Sequence, residues 1–398
     1  MTRQTTDYSP SLYARLSAMG FRPLFLLAGL WSALAIGLWL SFWSGSLDGD
    51  TFLTPFWWHG HEMLFGFVGA AAAGFMFTAA PIWSKSPPLT GPPLMRVVVA
   101  WILGRLAIWA APALPALLVA LVDLSFWVLF LMASAPSLWH TGNRIHRIFP
   151  TLLGLVLVGN LLMHLEAVGW SDHTAHRGLF LGIDAIIFFL IVVGGHIMPM
   201  FTRETLNDGG DNLQFPLSPP LEIAGSVTML AVLIGNFLAY QHAVTGGLYI
   251  LAAAVQTIRF SRWHIFKTFA NPMLWSLHIG FSWLILGLFL SGLARLTDWL
   301  EISTALHALT VGAMGFFTLG IMSRISLIHT GRPVRAEGSL TLAFFTLLAA
   351  ATIRLFPELP LPGGAILISG SLWIISYVLF LRVFWFKLLQ PRLDGEPG

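Results

Sequence analysis

The chain contains no cysteine. That absence excludes disulfides, thiolate metal sites, iron–sulfur clusters and covalent haem attachment, so any metal must be held by nitrogen, oxygen or methionine sulfur. Charge is nearly as scarce. Only 10% of the 398 residues are Asp, Glu, Lys or Arg, against about 25% in an ordinary soluble domain. A chain so short of charge cannot clothe a surface facing water. The pI near 9.5 does not point to nucleic acid either, because the basic residues are scattered through short loops and form no patch. No cleavable leader is expected: the first twenty residues are polar, and the first apolar run is long enough to span a bilayer.

What is present is apolar. The composition is 56% hydrophobic, with a mean hydropathy of +0.78. A bilayer core takes roughly twenty apolar residues of helix. Runs of that kind lie near 23–44, 62–83, 95–112, 114–138, 148–168, 177–201, 219–240, 244–260, 272–294, 303–324, 339–356 and 364–386. The expected fold is therefore all-α, a polytopic transmembrane helix bundle of about 12 spans. It forms a single integral membrane domain over 1–398, with cytoplasmic tails at 1–20 and 387–398 and the spans within 23–386. With the N-terminus inside, basic residues such as Arg3, Lys85, Arg144, Arg203, Arg259 and Arg382 fall in cytoplasmic segments. Only Arg177, Arg295 and Arg354 fall outside, and Arg105 lies within a span. A missed helix would scramble that alternation, so both termini are placed in the cytoplasm.

Thirteen histidines stand out against this background. Ionisable groups within a membrane are costly and mark candidate functional sites. His59, His61 and Glu62 open the second span from the outer side. His164 lies one turn after Asn160 near the outer end of the fifth, His176 begins the sixth and His307 begins the tenth. Imidazoles from several helices thus meet one outer level. An inner level holds His196 and His278, with His329 in the cytoplasmic loop after the tenth span. His140, His146, His173, His242 and His264 read as ordinary interfacial residues.

Neutral imidazole suits haem iron, copper and zinc. His59 and His61 cannot point the same way on a regular helix. Either the turn at Gly60 frays and both meet one metal, or one binds while the other meets a different group. Glu62 is a second partner, a proton carrier, or merely an acid favoured in a first helical turn. Arg105, Arg295 and Arg354 are candidate partners for the carboxylates of a haem; snorkelling also accounts for the last two. Arg105 is too deep for that, and Asp123 and Asp184 are its candidate protein partners.

Several stretches together resemble the NnrS family. They are Phe21-Arg22-Pro23-Leu24-Phe25-Leu26, Trp58-His59-Gly60-His61-Glu62-Met63-Leu64-Phe65-Gly66-Phe67, Gly104-Arg105-Leu106-Ala107, Asn160 to His164, His307 to Ala313, and Ser323-Arg324-Ile325-Ser326 through His329-Thr330-Gly331-Arg332-Pro333. The resemblance covers nearly the whole chain. It implies a multi-pass protein of the bacterial inner membrane that contains haem and copper and is linked to nitric oxide metabolism and nitrosative stress.

The resulting expectation is an enzyme of the nitric oxide reductase type. It would bind nitric oxide and reduce it to nitrous oxide with electrons from a membrane quinol. Metal ligands are expected among His59, His61, His164, His307, His278 and His196. His329, Arg105, Arg295 and Arg354 complete the expected binding of one or two haem b groups. His59, His61 and Glu62 are the expected catalytic residues, Glu62 delivering protons. Non-catalytic sensing or sequestration of nitric oxide is the alternative, with a transporter as a third reading.

Overall fold

The structure is a computed structural model that describes residues 11–139, 144–208 and 218–395. Arg3, His140 and the side chain of Arg144 lie outside what it describes. The described residues are helical, without strands. After a short helix at Leu12–Leu16, the chain runs through α1 (Phe21–Trp43), α2 (Pro55–Ser84), α3 (Gly91–Trp109), α4 (Ala116–Trp139), α5 (Ile148–Val168) and α6 (Thr174–Asn207). It continues through α7 (Pro219–Leu238), α8 (Ala243–Phe260), α9 (Pro272–Leu296), α10 (Ile302–Ile328), α11 (Gly338–Arg354) and α12 (Ala365–Leu389). Eleven of these are long and apolar enough to cross a membrane, and α11 is a shorter apolar helix of 17 residues.

Local chemistry sets the helix starts. Proline stands in the first turn of α2, α3, α7 and α9, where its missing N–H costs nothing. Thr54 and Asn271 cap α2 and α9 through their side-chain oxygens. The second helix, expected from residue 62, therefore begins already at Pro55. His59 and His61 sit inside regular helix instead of opening it.

Three helices form the centre. In the most apolar stretch of each helix, 94% of residues are buried in α2, 94% in α6 and 78% in α10, whereas the next highest share is 56% in α9. Each of the other nine helices packs on its neighbours in sequence, and α12 packs on α1. Outward faces carry residues such as Leu34, Leu106, Leu121 and Met132, exposed by 47 to 66%, as a lipid-facing surface requires.

Two central helices share an irregularity. In α2, a π-helical segment, Glu62–Val68, begins immediately after His61. In α10, another, Ala308–Met314, begins immediately after His307. Each holds one extra residue in its turn, a distortion that recurs at functional sites. The two stretches match in sequence at one constant offset: His61 with His307, Gly66 with Gly312, Gly69 with Gly315, Gly74 with Gly320 and Met76 with Met322. The widened turns need small residues. A Cβ at Gly312 would lie 2.6 Å from the ring of Trp283. Gly312→Ala should therefore cost about 1–3 kcal/mol through overpacking, read as earlier thermal unfolding in detergent. An unchanged melting curve would contradict the close approach.

Candidate metal and cofactor sites

The two histidines of the Trp-His-Gly-His-Glu stretch face opposite ways, as a separation of two residues on a helix dictates. His59 faces a cavity of about 250 Å³ bounded by α1, α2, α6, α10 and α12, with Tyr240 and Arg354 at its edge. His307 lines the same cavity. The wall is otherwise almost wholly apolar, with Trp39, Leu64, Phe67, Ile183, Val311 and Trp373 among its residues. No carboxylate is among the residues that line it.

The two rings are prepared differently. His307 Nδ1 lies 2.6 Å from the Ser303 carbonyl oxygen. A carbonyl only accepts, so Nδ1 carries the proton and Nε2 keeps its lone pair. His59 stacks on Trp39, ring centroids 4.6 Å apart at 16°. Its Nδ1 is buried without a hydrogen-bond partner. Buried polar atoms of that kind are rare and call for a reason.

His61 faces the other way, into a fully buried polar cluster between α2, α3, α4 and α5. Its Nδ1 lies 3.0 Å from Glu62 Oε1. Its Nε2 lies 2.9 Å from Asn160 Oδ1 and 3.2 Å from Asp123 Oδ2. The Asn160 amide donates to Asp123 Oδ2 at 2.7 Å, which fixes its oxygen toward His61. His164 Nε2 stands 2.9 Å from Asp123 Oδ2. Arg105 joins the two acids, donating to Glu62 Oε1 at 2.6 Å and to Asp123 Oδ1. Of the two acids considered for Arg105, the partner is Asp123, with Glu62 as a second.

The cluster contains two carboxylates and one arginine, so it is one positive charge short when both acids are ionised. Both nitrogens of His61 face oxygen acceptors, yet a neutral ring has a single N–H. A second ring proton, or a metal ion in its place, satisfies the remaining side. His61, Asp123 and His164 each offer a ligand atom, all within 4.8 Å of one another. Phe52 closes the cluster, its ring 5.0 Å from each imidazole.

A third buried carboxylate, on α6, was foreseen only as a possible partner for Arg105. Asp184 accepts instead from Asn236 Nδ2 at 2.7 Å and from the Tyr249 hydroxyl at 3.1 Å. Arg295 donates to Asn236 Oδ1, to the Tyr240 carbonyl and to the Ser291 carbonyl. Its guanidinium lies 4.9 Å and 4.6 Å from the centroids of Tyr240 and Tyr249. Tyr240 in turn packs against His176 at 4.2 Å, and both line the cavity. Burial pushes the Tyr240 phenol up to about 12 against the opposing pull of Arg295, so it stays protonated.

The three inner candidates occupy three separate environments. His196 meets Trp83 and His146 edge-on, 6.1 and 6.3 Å away. His278 has Nδ1 3.0 Å from the Leu274 carbonyl and Nε2 3.3 Å from that of Trp263. His329 packs on Phe21 at 5.7 Å. Burial, aided by Arg392, pulls its imidazole down to about 4, so it is neutral at ordinary pH.

Apolar helices arranged around three buried central ones, with their polar chemistry turned inward, define a polytopic helical membrane protein. Within that class, the family model described as NnrS protein matches residues 15–392, nearly the whole chain. The chain belongs to the NnrS family, as its motifs suggested. No curated protein matches it.

Proposed function

We propose that this protein binds nitric oxide in the cavity between α2 and α10 and reduces it to nitrous oxide. One haem b would be held there by His59 and His307, with Arg354 available to a propionate. Copper would be held by His61, His164 and Asp123. The observation that carries the reading is His307, whose ring is fixed by Ser303 so that Nε2 is left unprotonated beside an apolar cavity. The unpartnered Nδ1 of His59 in the same wall supports it. For copper, two imidazole nitrogens and a carboxylate oxygen form a suitable donor set. Glu62 on the far nitrogen of His61 is the outer partner such ligands usually have. In topology, the reading takes all twelve helices as spans, with both termini in the cytoplasm and the protein in a bacterial inner membrane.

Bound haem and copper would supply the redox chemistry. The chain's own residues do the rest. The apolar wall admits a small neutral gas and excludes water, while Ser303 fixes the His307 ring. Arg105 holds Glu62 and Asp123 in place. Reduction of two nitric oxide molecules by a quinol gives nitrous oxide, water and quinone, which balances two electrons and two protons.

A second reading, sequestration of nitric oxide without turnover, draws on the same wall, which has no carboxylate to donate protons. One experiment separates the two. Purified protein, counted for iron and copper, is reduced with a quinol and given nitric oxide. Sustained nitrous oxide release supports the enzyme, and a stoichiometric iron-nitrosyl spectrum without turnover supports sequestration. Protein from haem-replete cells without a Soret band would sink both. His164→Ala should lower copper and leave haem in place; copper retained in full would defeat that site.

A further inference from the structure

The reduction needs protons, and the cavity wall has no acid to give them. Two buried carboxylate groups lie behind that wall, on adjacent central helices. On α2, Gly60, Met63 and Leu64 line the cavity while His61 and Glu62 face away. On α6, His176, Leu179, Phe180 and Ile183 line it, and Asp184 follows directly. The two acids differ in one respect. Glu62 is bound to Arg105 and His61 and so is tied to a fixed cation. Asp184 is 2% exposed, and among the described residues its hydrogen-bond donors are the neutral Asn236 and Tyr249. A buried carboxyl group whose contacts are neutral donors can carry a proton of its own, whereas one bound to a fixed cation is held ionised.

Its surroundings lead back to the cavity. Tyr249, from α8, bonds the carboxyl directly. Arg295, from α9, is one hydrogen bond away through Asn236 of α7 and lies between the rings of Tyr249 and Tyr240. Tyr240, from the α7–α8 turn, and His176, from α6 itself, stand in the cavity wall. Of the ionisable groups on α2 and α5, His61, Glu62 and His164 are engaged with Asp123 and Arg105, and Glu166 accepts from the Ala175 N–H at the start of α6.

We propose that Asp184, assisted by Tyr249 and Arg295, is the proton-relay residue for the cavity. This rests on the catalytic reading above. The Asp184 carboxyl gives up one of the two protons that the reduction consumes. The resulting carboxylate is held by the Asn236 and Tyr249 donors, with Arg295 behind them. Quinol oxidation releases two electrons and two protons; one proton restores the carboxyl and the other is the second proton that the reduction consumes. Asp184 does not touch the substrate, so it acts through the groups in the wall.

The test uses the full-length haem-loaded protein in wild-type, Asp184→Asn and Asp184→Glu forms. Two readouts are taken: quinol-driven nitrous oxide release across pH, and the reduced-minus-oxidised infrared spectrum in the carboxyl C=O region. In the wild type, a carboxyl band should change on reduction and shift in D₂O. It should vanish in Asp184→Asn and return, displaced, in Asp184→Glu. Turnover should fall about tenfold or more in Asp184→Asn, the range expected for losing a positioned proton donor, with haem and copper unchanged. Asp184→Glu should recover much of the rate with an altered pH profile.

An unchanged band and rate in Asp184→Asn would overturn the relay while leaving the catalytic reading intact. A wild-type protein that binds haem and never turns over would overturn both. Loss of haem from both variants would also overturn the relay, because it would make Asp184 a structural support.

Discussion

Purified His307→Ala protein is expected to lack the wild-type Soret band while keeping its helical content. The carbonyl of Ser303 accepts a hydrogen bond from His307 Nδ1–H and so fixes the ring. Alanine removes both the donor nitrogen and that fixed ring. Loss of an outer-shell partner alone weakens a metal site by about 10–100-fold, and removing the ligand should exceed that. The fold should survive, because His307 is only partly buried and lies at the edge of a cavity. His59→Ala should act in the same direction, on a ring positioned by stacking on Trp39. Circular dichroism and a pyridine haemochrome assay on each variant check this. Wild-type haem content in His307→Ala would remove His307 from the site.

The second large effect is on stability. Arg105→Ala leaves Glu62 and Asp123 buried without their shared cation. Removing one partner of a buried ion pair typically costs about 3–5 kcal/mol, and here one arginine serves two acids. Thermal unfolding in detergent should therefore come much earlier, or expression should fail. The triple variant Arg105→Leu with Glu62→Gln and Asp123→Asn should recover a good part of the loss, since no uncompensated charge remains. If Arg105→Ala melts like the wild type, the cluster has another source of positive charge.

The helices were legible in the sequence because a spanning helix announces itself by length and hydropathy. The expected span at 148–168 coincides with α5, and most other ends differ by a few residues. The larger miss, at the start of α2, has a local cause. Pro55 and the Thr54 cap begin a helix in a stretch too polar and aromatic to register as a span. The histidines were also visible as candidates, but their grouping was not. Sequence put His59, His61, His164 and His307 on one level; the fold pairs His59 with His307 and His61 with His164. Helical geometry required the division at Gly60 without saying which neighbours each ring would meet.

Asp184 was the hardest to read. Its partners come from α7, α8 and, through Asn236, α9, so no local pattern linked them. The π-helical segments did leave a signal. Gly66, Gly69 and Gly74 recur as Gly312, Gly315 and Gly320 at the same distances from a histidine, a periodicity visible only once the two stretches are laid side by side.

The packing of α12 on α1 bears on how the protein is made. Arg22, at the start of α1, donates to the carbonyl oxygens of Leu388 and Gln390 at the end of α12. Ser369, Gly370 and Trp373 of α12 supply part of the cavity wall, and Trp373 donates to Ser32 of α1. α1 must therefore wait in the bilayer for α12. The cavity does not exist as an enclosed space until α12 has been made and has packed. Any cofactor it retains is loaded into an assembled bundle, and a nascent chain stalled before α12 would be left with an open seam facing lipid.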